Sequence, residues 1–284
     1  MPGRSFDADA FTSLLTTSRV GRRLEYRYST TSTMTVADEL LQAEGAAAAH
    51  GLVVLAETQT AGVGRRGRAW QSAPDGNLYF SLVWSPASAA QGMAAMMPEM
   101  VRLNLAAGVA VVRACAAAGV DTARIKWPND VWAGEPARKL SGTILNFNGQ
   151  DAAVLGVGVN VLQARSSALP NATSIAAELQ EAGAAGAAGA AELSREAVLA
   201  SFCAEVERLM GLGTEGVLRE YAVCDLLAGK TVRVHHRSRE EDDPRDYEAR
   251  VLRVDPQGML CVRLGDGTER MLSGEEVSIT PRGV

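Results

Sequence analysis

Histidine and cysteine are scarce in this 284-residue chain, and each shortage narrows what it does. Its three histidines, His50, His235 and His236, have no carboxylate or cysteine partner close by in sequence, so no metal or catalytic site is read from them. The four cysteines, Cys115, Cys203, Cys224 and Cys261, stand far apart with no C-x-x-C pair. That spacing argues against a structural zinc or a disulfide framework and reads as thiols of a reducing cytoplasm. A basic excess is missing as well. The formal net charge of -5 speaks against a non-specific nucleic-acid binder. The longest uncharged apolar stretches, 103–112 and 152–162, fall short of a bilayer span, and the amino terminus shows no apolar signal core. A soluble, cytoplasmic protein without membrane partners is expected.

What is present is ordinary for a globular protein, with 47% hydrophobic and 21% charged residues. The length suits one large domain and one small one. Apolar runs predict strands at 51–57 and 77–84, the second introduced by an Asp75-Gly76 turn signal. A helical apolar stripe covers 98–118 and is stopped by Gly119. Short strands are expected at 124–127, 140–147 and 153–161, then helices at 172–181 and 195–209, the latter capped by Ser194. Between those helices, 182–191 is almost wholly Ala and Gly and reads as a flexible insertion. From Lys230 the pattern changes to short strands at 231–235, 247–254, 259–264, 269–272 and 277–279, which suggests a small barrel. The charged stretch 237–245 fits a long solvated hairpin loop, expected to be poorly ordered like the Ala/Gly tract. The expected architecture is a mixed α/β domain over 1–225 followed by a small β domain over 226–284.

The most informative segment is Gln59-Thr-Ala-Gly-Val-Gly-Arg-Arg-Gly-Arg-Ala-Trp70. It contains G-x-G-x-x-G after a predicted strand, but no helix opens behind it and no acid stands about twenty residues on, so a dinucleotide fold is disfavoured. A loop of glycines and arginines ending in tryptophan suits a nucleotide phosphate or an acyl-adenylate: the glycines permit close backbone approach, guanidinium forks match phosphate oxygens, and the indole stacks on a base. The competing reading is a solvated basic loop with a buried Trp. Lys126-Trp-Pro-Asn129-Asp130 presents Asn129 and Asp130 after a proline turn, for binding or merely to cap the next element. Arg138-Lys139-Leu-Ser-Gly142 places an ammonium near a close-approach backbone, though most lysines are surface lysines. In Gly156-Val-Gly158-Val-Asn160, alternate glycines suggest that a backbone or ligand approaches the strand, where Asn160 would meet an adenine edge.

In this order the motifs resemble the biotin–protein ligase family over about residues 26–280. They include Ser32-Thr33 ahead of a helix, the arginine loop, Lys-Trp-Pro-Asn-Asp, Arg-Lys-Leu-x-Gly, Gly-x-Gly-x-Asn, and a terminal Leu-Ser-Gly-Glu-Glu-Val-Ser. The resemblance implies a catalytic domain related to class II aminoacyl-tRNA synthetases and an SH3-like C-terminal β-barrel. It implies that biotin attacks the α-phosphate of ATP, with Mg²⁺ present, and that biotinyl-5′-AMP is passed to a lysine of a biotin carboxyl carrier protein. Biotin would be bound by Ser32, Thr33, Met34, Gln59, Gly62, Val63, Gly64, Arg65, Lys139 and Gly142. The nucleotide would meet Arg65, Arg66, Arg68, Trp70, Asn129, Lys139 and Asn160. Arg65, Lys139 and Asp130 would carry the chemistry, and no protein metal site is expected. Two positions depart from relatives: Val63 stands where bacterial members often have arginine, and Met34 where many have asparagine. Fewer than thirty residues precede Ser29 and no helix-turn-helix is read there, so a ligase without repressor activity or DNA partner is expected; a homodimer is possible. The rivals are a lipoate–protein ligase, a nucleotide- or RNA-binding module, and an inert biotin binder.

Overall fold

The apolar runs of the sequence become the centre of one seven-stranded sheet in the computed structural model, which describes residues 5–72, 76–86, 88–147, 151–183, 193–236, 246–274 and 277–281. The elements run α1 (Ala8–Leu14), β1 (Leu24–Thr30), α2 (Thr33–Glu44), α3 (Ala46–Ala49), β2 (Val53–Gln59), β3 (Leu78–Trp84), α4 (Met93–Ala117), β4 (Arg124–Lys126), β5 (Asp130–Ala133) and β6 (Arg138–Phe147). They continue with β7 (Ala153–Val159), α5 (Ile175–Glu181), α6 (Arg195–Gly211), α7 (Gly213–Cys224), β8 (Thr231–His236), β9 (Tyr247–Val254), β10 (Leu260–Arg263), β11 (Glu269–Leu272) and β12 (Val277–Pro281). Sheet order is β1-β2-β3-β7-β6-β5-β4, parallel only between β1 and β2.

Period-two alternation assigns each side chain to a face. Leu55, Phe80 and Leu155 join α4 and α6 in the main core, whereas Val54, Val83 and Val154 meet Met34, Ala37 and Leu41 of α2 on the other side. Strands β3 and β7 are therefore buried at every position, which is why they read as continuous apolar runs. Helix α2 packs on β2, β3 and β7. The same face over β6, β5 and β4 is left to the loops and carries the site.

Several expectations change. Helix α4 begins at Met93, five residues before the predicted start, with Pro98 inside it. Proline was read as the opening residue, but Met93-Ala-Ala-Met-Met are good helix formers and Pro98 forfeits a single backbone bond. By length and composition α4 is apolar enough to cross a membrane, although its uncharged runs taken singly are too short to do so. Its most apolar stretch is 61% buried against its own protein, and Arg113 on it pairs with Glu220 of α7. Helix α5 begins at Ile175, capped by Ser174, rather than at residue 172. The residues before it are held extended instead: the Lys139 amide donates to the Asn171 carbonyl, and the Thr173 amide to the Lys139 carbonyl. Elements α1, α3, α7, β1 and β5 were not predicted. All four cysteines are free and buried.

One buried ion pair ties the layers together. Arg195, at the start of α6, lies 2.6 Å from Glu57 of β2, with exposures of 4% and 1%. Glu57 also accepts from the Phe6 amide and the Tyr26 hydroxyl. Burial, helped by that bond to Glu57, pushes the Tyr26 phenol up to about 12.

The five short strands after Lys230 form an antiparallel sheet, β11-β10-β9-β8-β12. Among the described residues β11 and β12 do not pair, so the sheet is open where a closed barrel was expected. His235 gains a carboxylate partner that local sequence did not show, Asp246 at 2.6 Å across the hairpin. The loop 237–245, and the Ala/Gly tract from residue 184 onward, lie outside the described residues.

Candidate active site

Strand register builds the site floor. Tyr79, Gly158, Gly142, Asp130 and Lys126 stand directly opposite one another across β3, β7, β6, β5 and β4. One strand repeat away on β7, Gly156 sits opposite Ile144. Between Val131 and Trp132 the pairing slips by one residue, so that Trp132 faces Lys139 rather than Leu140. Such a bulge re-aims a side chain, and here the Lys139 Nζ lies 2.7 Å from Asp130 Oδ1.

The alternate glycines of β7 make room for side chains. A Cβ at Gly158 would lie 2.5 Å from the Trp70 indole, and one at Gly156 2.7 Å from Met34 Sδ. A Cβ at Gly142 would lie 3.0 Å from the same indole. Trp70 thus rests flat over two glycines, with Lys139 Nζ 5.3 Å from its ring centre. Its Nε1 is buried and finds no hydrogen-bond partner among the described residues. An orphaned buried donor of this kind suits a ligand acceptor.

The glycine–arginine loop folds into a small hairpin. The Trp70 amide donates to the Gly62 carbonyl at 2.8 Å, and the Gly64 amide to the Arg68 carbonyl at 2.7 Å. Gly62 is required at its base, because a Cβ there would lie 2.8 Å from the Trp70 carbonyl oxygen. Arg66 at the tip has φ 64°, a left-handed conformation uncommon outside glycine. The Arg65 guanidinium donates to Asn129 Oδ1 at 2.9 Å and to the Gly274 carbonyl at 3.0 Å. Asn129 is itself held by its Nδ2 donating to the Thr143 carbonyl.

At the α2 end the polar groups form a connected set. Ser32 caps α2, accepting from the Met34 amide. Gln59 Oε1 accepts from the Thr33 amide at 2.9 Å, its Nε2 donates to Ser72, and the Thr33 and Ser81 hydroxyls are 2.8 Å apart.

These groups enclose a cavity of about 300 Å³. Of the residues singled out in the sequence, Ser32, Thr33, Met34, Gln59, Val63, Gly64, Arg65, Arg66, Arg68, Trp70, Asn129, Asp130, Lys139 and Gly142 line it. Gly62 and Asn160 do not. Gly62 closes the hairpin behind the wall, and the Asn160 side-chain Nδ2 donates to the Thr173 carbonyl at 2.9 Å, fixing the connection to α5. The Asn160 side chain is thus anchored within the protein through one Nδ2 bond.

Sequence reasoning missed Lys126, although it opens the quoted motif. Its Nζ sits 4.4 Å above the Trp132 ring, and burial, with Lys139 adding to it against the pull of Asp130, holds its pKa below the ordinary value. Gly274 lies in the quoted terminal Leu-Ser-Gly-Glu-Glu-Val-Ser run, but its place beside the cavity was not read, since nothing local in sequence connects it to a loop some two hundred residues earlier.

The Biotin/lipoate A/B protein ligase family matches residues 26–161. A biotin–[acetyl-CoA-carboxylase] ligase of Mycobacterium tuberculosis is 32% identical over 248 residues, covering 86% of this chain and 85% of that one. Biotin protein ligase from Aquifex aeolicus, solved with biotin and ATP, has the same fold: TM-score 0.67 at 20% identity, over 92% of this chain and 99% of that one. Biotin protein ligase from Leishmania major, solved with biotinyl-5-AMP, gives TM-score 0.55 at 26% identity, over 89% and 99%. The similarity to the mycobacterial enzyme runs along most of both chains, so this chain belongs to the biotin/lipoate A/B protein ligase family, on its biotin–protein ligase branch, and is a ligase.

Proposed function

We propose that the chain activates biotin as biotinyl-5′-AMP and transfers it to a lysine of a biotin carboxyl carrier protein. The observation that carries this reading is the two-ended cavity: a hydrogen-bonding set of Ser32, Thr33 and Gln59 at the α2 end, and Lys139, Arg65 and the Trp70 indole at the other. The first end suits a neutral ureido ring, which both donates and accepts. The second suits a carboxylate meeting a nucleotide. The complexes of the Aquifex and Leishmania enzymes, with biotin and ATP and with biotinyl-5-AMP, support the same reading.

In the first step a biotin carboxylate oxygen attacks the α-phosphorus and the bond to pyrophosphate breaks. Two anions must meet, so Arg65 and Lys139, fixed beforehand, lower the barrier. Lys139 then exchanges Asp130 for the reacting anion. In the second step the carrier amine attacks the acyl carbon and AMP leaves. Asp130, released from Lys139, takes the role of orienting that amine and accepting its proton.

Among the described residues no group of three or more His, Cys, Asp or Glu is placed to hold a metal ion, and Asp130 is the only carboxylate lining the cavity. Such a donor set fits Mg²⁺ arriving with the triphosphate of its substrate. The mostly antiparallel sheet backed by α4 supports a domain of the class II synthetase type over 1–225, and the five short strands support an SH3-like unit over 226–284. The free buried thiols support a cytoplasmic setting, and the acidic net charge supports ligation without DNA binding.

Biotin-dependent ATP–pyrophosphate exchange, with lipoate as the comparison acid, tests the reading. Exchange is expected with biotin only, and Lys139→Ala should lower it on the order of a hundredfold or more. Exchange with lipoate instead, or with neither acid in a folded Mg²⁺-supplied sample, overturns it.

A further inference from the structure

The five-stranded sheet grips the catalytic sheet at two turn carbonyls. Gly258, in the β9–β10 turn, accepts the Trp127 indole N–H at 3.0 Å. Gly274, after β11, accepts from Arg65 Nη2 at 3.0 Å and from Arg66 Nη2 at 2.9 Å. The Gly274 turn is wedged against the neighbouring Pro128, so that a Cβ there would lie 3.0 Å from Pro128 Cγ. One backbone oxygen therefore fixes two guanidinium groups of the glycine–arginine hairpin, while Asn129 fixes the other edge of Arg65. A second cavity, about 570 Å³, lies against the same contact and shares Arg65, Arg66, Asn129 and Gly274 with the first.

We propose that the Ser273–Gly274 turn is a positioning element of the active site, orienting Arg65 and Arg66 and holding the hairpin closed. The five-stranded sheet is then a working part of the anion-binding end of the cavity. Guanidinium groups are planar and their hydrogen bonds directional, so a fixed acceptor sets the plane in which the remaining edge meets an oxyanion. The biotin end, built on Ser32, Thr33 and Gln59, is independent of this contact. The kinetic part of the proposal rests on the ligase reading; the structural part does not.

Gly274→Ala tests both parts, with Gly265→Ala in the β10–β11 turn of the same sheet as its control, since a Cβ at Gly265 meets nothing within 4 Å. Hydrogen exchange of the protein without ligands is measured first. In Gly274→Ala the hairpin amides of Gly64 and Trp70 should exchange about tenfold faster, while the amides of β10 keep wild-type rates, because a lost charge-assisted hydrogen bond is worth about that factor. Pyrophosphate exchange follows: the KM for ATP should rise about tenfold and that for biotin clearly less, since its ureido end does not depend on the contact, and Gly265→Ala should match wild type in both measurements. Wild-type protection of Gly64 and Trp70 in Gly274→Ala overturns the inference whether or not the enzyme is active. An equal loss of biotin affinity also overturns it, since that marks general damage. Absence of exchange in the wild type itself would defeat the ligase reading alone.

Discussion

At the residue scale, two glycines on one strand divide the cavity. Gly156 gives its space to Met34 and Gly158 to Trp70, and only a missing Cβ permits either contact. Adding a methyl group should therefore separate the two substrates. Gly158→Ala is expected to push the indole off the strand and raise the KM for ATP, by about tenfold or more if the ring moves on the order of 1 Å. Gly156→Ala is expected to act on biotin instead, and more mildly, because it meets the far end of a flexible methionine. Steady-state pyrophosphate exchange with each substrate varied in turn checks this; both variants changing the same constant would contradict the division. The alternate glycines were legible as a sign of close approach. That the approaching groups are Met34 and Trp70 was not, because both come from other elements.

At the element scale, β2 and α6 are joined by the Glu57–Arg195 pair, which sits almost fully out of water. Neither residue stands out in sequence, where Glu57 ends an apolar run and Arg195 merely follows the cap Ser194. Removing one partner leaves the other charge buried, so Glu57→Gln should cost about 3–5 kcal/mol, read as a fall in the urea midpoint. Replacing both by apolar residues of similar size should cost far less, since no charge is then left alone. Equal losses in the two cases would show that the site tolerates an unpaired charge. The Ser194 cap itself was legible, as the amide of Ala197 donates to its hydroxyl at 3.1 Å. The start of α5 was not: pairing of its leading residues with Lys139 overrides the helix preference of alanine. Four-residue β5 is too short to show alternation, although it carries Asp130 and the slip that brings Lys139 to it.

At the scale of the whole molecule, the segment leading from α7 toward the second sheet meets β4. The Leu226 amide donates to the Ile125 carbonyl at 2.8 Å, and Asp225 forms an isolated bridge with Ile125. Burial raises the Asp225 carboxyl to about 6, against the hydrogen bonds from Leu227 and Ala228 that favour its charged form. Its folded value is raised, so between the unfolded value and pH 6 the native state binds more protons than the unfolded one. Stability from this group is therefore highest at acid pH, falls as pH climbs through that window, and stays reduced above it by at most about 3 kcal/mol. Asp225→Asn keeps the acceptor for Leu227 without the charge. It should be more stable than wild type at pH 7, with the gain shrinking toward pH 4. Urea unfolding at both pH values checks this, and a gain that does not depend on pH would count against it.

The sequence by itself determined five of the seven strands of the central sheet, the cap of α6, the family and fourteen of the residues that line the cavity. Those features depend on local chemistry: apolar periodicity, a capping hydroxyl, and glycine, arginine and tryptophan gathered in one short loop. Only the tertiary structure decided that the Asn160 side chain is anchored to Thr173, that Lys126 joins Asp130 and Lys139, that the last five strands form an open sheet among the described residues, and that Gly274 accepts from the arginine loop. Each of these depends on which residues a strand register or a distant turn brings opposite one another. Such pairings join positions far apart in the chain, and no local pattern encodes them.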